Sequence, residues 1–156
     1  MRQKELYMNI LCICLGNICR SPAAEAILSE IAGPKHDVIS RGVDEYHVGE
    51  KADARMRRAA KERGIEIETR AKVLTQADVD WADYLLVATE EILEALKMRL
   101  PDSTGKIFLM THWSQEHKDV DVPDPYYSRT DAAFEEVIDL LEESLRCFCE
   151  CELDAK

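Results

Sequence analysis

Three observations predict a single-domain α/β three-layer sandwich, a four-stranded parallel twisted sheet with helices on both faces and a phosphate-binding loop after the first strand. Short apolar runs (Ile10–Ile13, Val38–Ser40, Tyr84–Ala88, Ile107–Leu109) alternate with longer helical patterns along the chain. The first and third runs are apolar enough for strands covered on both sides. A loop containing Gly16 leads from the first run straight into a helix start, the place where such sheets bind ligands. With 156 residues and no linker or repeat, positions 1–156 read as one domain, its ends at 1–7 and about 150–156 expected to be loose.

Residues 8–14 form the first predicted strand. Ser21 offers an N-cap and Pro22 suits the first helical position; Ala23, Ala26, Ile27 and Ile31 supply an apolar stripe, and Gly33-Pro34 stops the helix. A short strand at Val38–Ser40 is followed by a loop from Gly42 to Gly49. Ala52–Arg63 is a basic helix ending at Gly64, with Met56, Ala59 and Ala60 facing inward. Thr75–Asp78 reads as a capped helical turn. After the third strand comes a helix from about Thr89 to Arg99; Pro101 and Gly105 break the chain before the strand at Ile107–Leu109. A long polar loop carries Val122–Tyr127. The last helix starts near Thr130-Asp131, with Phe134, Val137, Ile138, Leu141, Leu145 and Phe148 at helical spacing.

The composition, 46% hydrophobic and 33% charged, is that of a globular protein. A formal net charge of −11 argues against nucleic acid as a general partner. No apolar run approaches the ~20 residues of a membrane span, and the N-terminus shows no signal-peptide pattern. A cytoplasmic monomer with free thiols is the expectation.

The chemistry is concentrated in Cys14-Leu15-Gly16-Asn17-Ile18-Cys19-Arg20-Ser21-Pro22. Cys14 and Arg20 bracket the loop as C-x5-R. The backbone N–H groups between them can converge on an oxyanion, such as phosphate. A thiol is an effective nucleophile as thiolate, and the N–H donors, the helix start, Arg20 and the Ser21 hydroxyl all favour that form. Arg20 presents a planar fork to two phosphate oxygens. A leaving alkoxide or phenoxide needs a proton, and Asp124, stiffened by Pro123 and Pro125, is the best candidate acid.

The nonapeptide Cys14–Pro22, with Asp124-Pro125-Tyr126-Tyr127 about 110 residues on, resembles the low-molecular-weight protein tyrosine phosphatases. The resemblance runs from Met8 to Cys147 and includes Ser40-x-Gly42 and Val48-Gly49-x-x-Ala52-Asp53. It implies a cysteine-dependent protein tyrosine phosphatase, with Cys14 as nucleophile, Arg20 as phosphate binder and Asp124 as general acid and then base. Leu15, Gly16, Asn17, Ile18, Cys19 and Ser21 would form the phosphate loop, Ser40 would support Asn17, and Leu15, Tyr46, Tyr126 and Tyr127 would wall the substrate groove. Cys19 would form a reversible disulfide with Cys14 under oxidation. The implied substrate is a phosphotyrosyl protein or small aryl phosphate, with no metal or other cofactor. The chain departs from the family at Thr69, where a histidine is common near Asn17, at Ala88-Thr89, where Met-Asp is common, and at Arg41 and Val43.

Competing readings are weaker. An arsenate reductase on this fold needs cysteines in mid-chain, and none lies between Cys19 and Cys147. A protein arginine phosphatase tends to have a small polar residue at Ile18 and a phenylalanine for the tyrosine pair. A binding module without catalysis fits poorly with Cys14, Arg20 and Asp124 together. Cys147, Cys149 and Cys151 lack a fourth ligand for a zinc site, and His36, His47, His112 and His117 read as solvated.

Overall fold

The structure, a computed structural model, describes residues 7–154. β1 (Asn9–Cys14), α1 (Arg20–Ala32), β2 (Asp37–Gly42), α2 (Ala54–Lys61), α3 (Gln76–Trp81), β3 (Tyr84–Val87), α4 (Glu90–Arg99), β4 (Ile107–Leu109) and α5 (Ala132–Phe148) follow in that order. The sheet runs β2-β1-β3-β4 with every pairing parallel. β1 is central because the chain leaves it on one side to form β2 and crosses to the other side for β3. Strand order reverses there, so a crevice opens beyond the carboxyl end of β1, which is Cys14.

The period-2 alternation of β1 feeds two cores. Ile10, Cys12 and Cys14 face the layer of α1, α2 and α5, while Leu11 and Ile13 face that of α3 and α4. The six α5 positions picked out by helical spacing are all buried, between 0% and 1% exposed. Thr75 and Asp78 close a capping box, as their spacing suggested.

Four expectations need correcting. α1 begins at Arg20 with Cys19 as N-cap, not at Ser21, because the Ser21 hydroxyl is spent on Cys14 and Asn17 instead. Pro22 becomes the third helical residue, still among the first four whose N–H groups have no partner in the helix. The buried stripe of α1 is Ala23, Ala24, Ile27 and Leu28, and Ile31 is 37% exposed. The helix packs on the sheet and on α5 together, which rotates the buried face away from Ile31. The C-terminal end is packed where looseness was expected. A π-helical turn at Cys149–Leu153 buries Cys149 and Leu153, and Glu152 accepts hydrogen bonds from Tyr84 Oη (2.6 Å) and Trp113 Nε1 (3.1 Å). The rest of the expected loose segments, 1–6 and 155–156, lies outside the described residues. No helix among the described residues is long and apolar enough to cross a membrane.

Candidate active site

The loop from Cys14 to Arg20 turns over the end of β1 and is shaped by Asn17, whose φ of +58° is left-handed. Asparagine tolerates that region better than most residues, and a left-handed residue in such a turn lets neighbouring N–H groups converge on an anion. The loop passes so close above β2 that Gly42 cannot carry a side chain: a Cβ there would stand 2.9 Å from the Leu15 carbonyl and 3.0 Å from the Asn17 nitrogen.

Beneath the loop lies a hydrogen-bonded chain. Asn17 Nδ2 donates to Ser21 Oγ (2.8 Å) and to Ser40 Oγ (3.0 Å), and Asn17 Oδ1 accepts from the Lys72 backbone N–H (2.9 Å). Ser40 Oγ donates to Glu25 Oε1 at 2.7 Å. Burial pushes the Glu25 carboxyl above its ordinary range, against the pull of that hydrogen bond. Ser21 Oγ, accepting from Asn17, is 2.9 Å from Cys14 Sγ and 3.4 Å from the Arg41 carbonyl. Either atom of the Ser21–Cys14 pair can be the donor, and a Ser21 hydroxyl turned to the sulfur would be a donor to an anion there. Burial drives the thiols of Cys12 and Cys19 upward.

The departures from the family pattern are absorbed locally. Thr69 Oγ1 is buried without a hydrogen-bond partner among the described residues, and the Lys72 N–H donates to Asn17 Oδ1. Thr89 is the N-cap of α4, accepting from the Ile92 N–H at 3.2 Å. Arg41 pairs with Asp78 at 2.9 Å. Nothing in the structure gives Val43 a part in supporting the loop.

Arg20, 6% exposed, stands at the start of α1 and joins the loop to the Pro-Asp-Pro segment. Its Nη1 donates to the Val122 carbonyl (3.1 Å) and its Nη2 is 3.5 Å from Asp124 Oδ2. Val122 N–H in turn reaches the Ala88 carbonyl at the end of β3 (2.8 Å). Asp124 Oδ1 accepts from the Tyr126 N–H (3.1 Å), an Asx turn that fixes the carboxyl over the loop.

A cavity of about 450 Å³ opens here, and Cys14, Ile18, Cys19, Arg20 and Asp124 all line it. Leu15, Tyr46, Tyr126 and Tyr127 also line it. Tyr46 and Tyr127 are 81% and 86% exposed, and Tyr126 packs edge-on against Tyr127 with centroids 4.9 Å apart. Asn17, Ser21 and Ser40 lie below the cavity, not in it. Cys14 and Cys19 are both free thiols.

Two residues at this site, His47 and Arg55, escaped the reading of the sequence, and Asp53 appeared there only as part of the matched motif. His47 is not solvated. Its side chain is 14% exposed, pairs with Glu50 (3.1 Å) and stands between Tyr46 and Tyr126 on the cavity wall. Asp53 and Arg55 form the third support. The Asp53 N–H reaches the Ile18 carbonyl at 2.7 Å, while Arg55 binds Asp53 Oδ2 (2.8 Å), the Tyr126 carbonyl (2.8 Å) and the Ser128 carbonyl (3.0 Å). Burial favours the neutral acid at Asp53, but the hydrogen bonds from Arg55 outweigh it and hold the carboxyl below its usual range. Arg55 thus ties the Asp124 segment to the phosphate loop through α2. Arg55→Met should lower kcat about tenfold or more by loosening Asp124 while leaving competitive inhibition by phosphate unchanged. Arg55→Lys should not restore the rate, since one ammonium cannot span three acceptors.

Of the other histidines, His36 accepts from the Met8 N–H, His112 pairs with Asp119, and His117 is exposed beside Glu116. Cys147 bonds Glu143, Cys149 is buried and Cys151 exposed, so the three thiols have separate surroundings.

The family described as low molecular weight phosphotyrosine protein phosphatase matches residues 9–156. A low molecular weight protein-tyrosine-phosphatase of Salmonella typhimurium is 34% identical over 142 residues, 90% of this chain and 91% of the relative. A protein-arginine-phosphatase of Geobacillus stearothermophilus is 32% identical over 143 residues, 88% and 95% of the two chains. Among solved structures, a Vibrio vulnificus protein in complex with benzylphosphonate superposes with a TM-score of 0.84 at 31% identity, covering 92% of this chain and 98% of its own.

Proposed function

Because this chain belongs to the low molecular weight phosphotyrosine protein phosphatase family, we propose that it hydrolyses phosphotyrosine through a phosphocysteine on Cys14. One observation carries the reading: Cys14, Arg20 and Asp124 line one cavity whose wall is aromatic. The Vibrio vulnificus relative's benzylphosphonate, an aromatic ring one carbon from a phosphonate, is a ligand of the same shape class.

In the first step the Cys14 thiolate attacks phosphorus. The S–P bond forms, the P–O bond to the aryl group breaks, and Asp124, protonated, gives its proton to the leaving oxygen. Charge on the three equatorial oxygens is held by the loop N–H groups and the Arg20 fork. In the second step a water attacks phosphorus and gives a proton to the Asp124 carboxylate. The P–S bond breaks, inorganic phosphate leaves, and the thiolate is restored with its hydrogen bond from Ser21. No metal or organic cofactor is called on, since Arg20 and the loop supply the positive field. We read Cys19, which lines the same cavity, as the thiol that would pair with Cys14 under oxidation.

The substrate is a phosphotyrosyl protein or aryl phosphate, and the working site a monomer in the cytoplasm. Arginine phosphatase activity is disfavoured by Ile18, which lines the cavity and is 7% exposed. A guanidinium would bring its N–H donors against an alkyl side chain, whereas a phenyl ring stacks on the tyrosine wall. Side-by-side turnover of matched phosphotyrosine and phosphoarginine peptides tests this. The expected kcat/KM ratio favours phosphotyrosine by about 10² or more, the discrimination a mismatched polar group brings; a ratio favouring phosphoarginine would reverse the assignment.

A further inference from the structure

A second groove lies at the carboxyl end of the sheet, sharing Leu15 and Asp44 with the catalytic cavity. Its floor is aliphatic: Ile92 and Leu96 are buried and Val43 and Val73 half-buried. Glu45, Glu91 and Arg99 stand on its rim with Asp44, and all four are exposed. Among the described residues, Glu45, Glu91 and Arg99 make no side-chain hydrogen bond or ion pair. Three carboxylates therefore face one guanidinium. Arg99 is eight residues beyond Glu91 on α4, about 12 Å along the helix axis, so it does not neutralise the end nearest the phosphate loop. The start of α4 makes no demand for an anion either, because Glu90 N–H donates to Asp121 and Ile92 N–H to Thr89.

We propose that this groove seats the segment flanking phosphotyrosine in the substrate protein. An aliphatic residue lies on the Val43–Val73–Ile92 floor, and an adjacent lysine or arginine meets Asp44, Glu45 and Glu91. The inference rests on the phosphatase reading of the first cavity and narrows its substrate class to phosphotyrosines with a basic, aliphatic flank. Two observations carry it. The groove meets the catalytic cavity at Leu15, 48% exposed, and at Asp44, within reach of residues next to an engaged phosphotyrosine. The rim charge, in a chain of net −11, repels an acidic flank and attracts a basic one.

The test is steady-state kinetics on two phosphotyrosine peptides, one flanked by leucine and lysine, the other by leucine and glutamate, with free phosphotyrosine as reference. The basic peptide should win by about tenfold in kcat/KM, the scale of two exposed ion pairs, with the gap narrowing at high salt. Glu45→Lys with Glu91→Lys should erase or invert the preference. Ala95→Trp, on the exposed face of α4 lining the groove, should remove the gain of the basic peptide over free phosphotyrosine. All these variants should turn over free phosphotyrosine as the parent does. Equal kcat/KM for the two peptides, or a preference that survives the double charge reversal, overturns the groove assignment alone. Absence of turnover on free phosphotyrosine by the parent protein overturns the catalytic reading and the groove with it.

Discussion

Cys14→Ser should lose at least about 10⁴ in turnover of any aryl phosphate, the order of loss that follows removal of a nucleophile. The argument is local. Among the described residues Cys14 Sγ has one side-chain hydrogen-bond partner, Ser21 Oγ at 2.9 Å, whose oxygen is already an acceptor from Asn17. That arrangement offers a donor to an anion and no base to a neutral hydroxyl. A serine hydroxyl, with no base beside it, has no route to the anion that the mechanism needs. Binding should behave oppositely. With the thiolate gone, a phosphate dianion no longer meets a negative charge at the floor of the cavity, so protection of the variant by phosphate against thermal unfolding should equal or exceed that of the parent. Cys12→Ser is the control. It shares the strand face with Cys14 but lies wholly in the core, and should cost stability while keeping activity. Turnover in Cys14→Ser within tenfold of the parent would sink the thiolate mechanism.

The fold was legible because its signals are local. Strand runs, the Thr75 capping box and the six α5 positions are set by residues within a few places of one another, and packing only had to agree with them. Ser21 misled for an equally physical reason. A hydroxyl that could cap a helix had a stronger use under the loop, and no property of the local sequence ranks the two. Arg55 was missed because its role comes from contacts distant in sequence, and His47 because its neighbour Tyr126 is brought to it only by the fold. Arg55 reaches carbonyls at Tyr126 and Ser128, more than 70 residues away, through backbone atoms that leave no mark in the amino-acid code. The departure at Thr69 looked like a gap in the support of Asn17. Asn17 Oδ1 is met by the Lys72 main-chain N–H, a support invisible in the residue's identity.

Asp124→Asn should cost about 10²–10³ in kcat on a phosphotyrosine peptide, within the usual range for a lost general acid. The size must depend on the leaving group. Tyrosine leaves as a phenoxide whose conjugate acid has a pKa of about 10, and without a proton donor that charge must develop in full. p-Nitrophenyl phosphate releases a more stable anion, so the same variant should lose less on it, and rate plotted against leaving-group pKa should steepen relative to the parent. The isosteric amide keeps the Asx-turn acceptor for the Tyr126 N–H and a neutral partner for Arg20, so phosphate inhibition should change little. Because Asp124 is also assigned to deprotonate the attacking water, the second step should slow too. With p-nitrophenyl phosphate the variant should then release a burst of p-nitrophenol close to one equivalent, as phosphocysteine accumulates. Equal losses on both substrates with no burst would mean that Asp124 only orients Arg20, and the proton would have to come from solvent through the open mouth between Tyr46 and Tyr127.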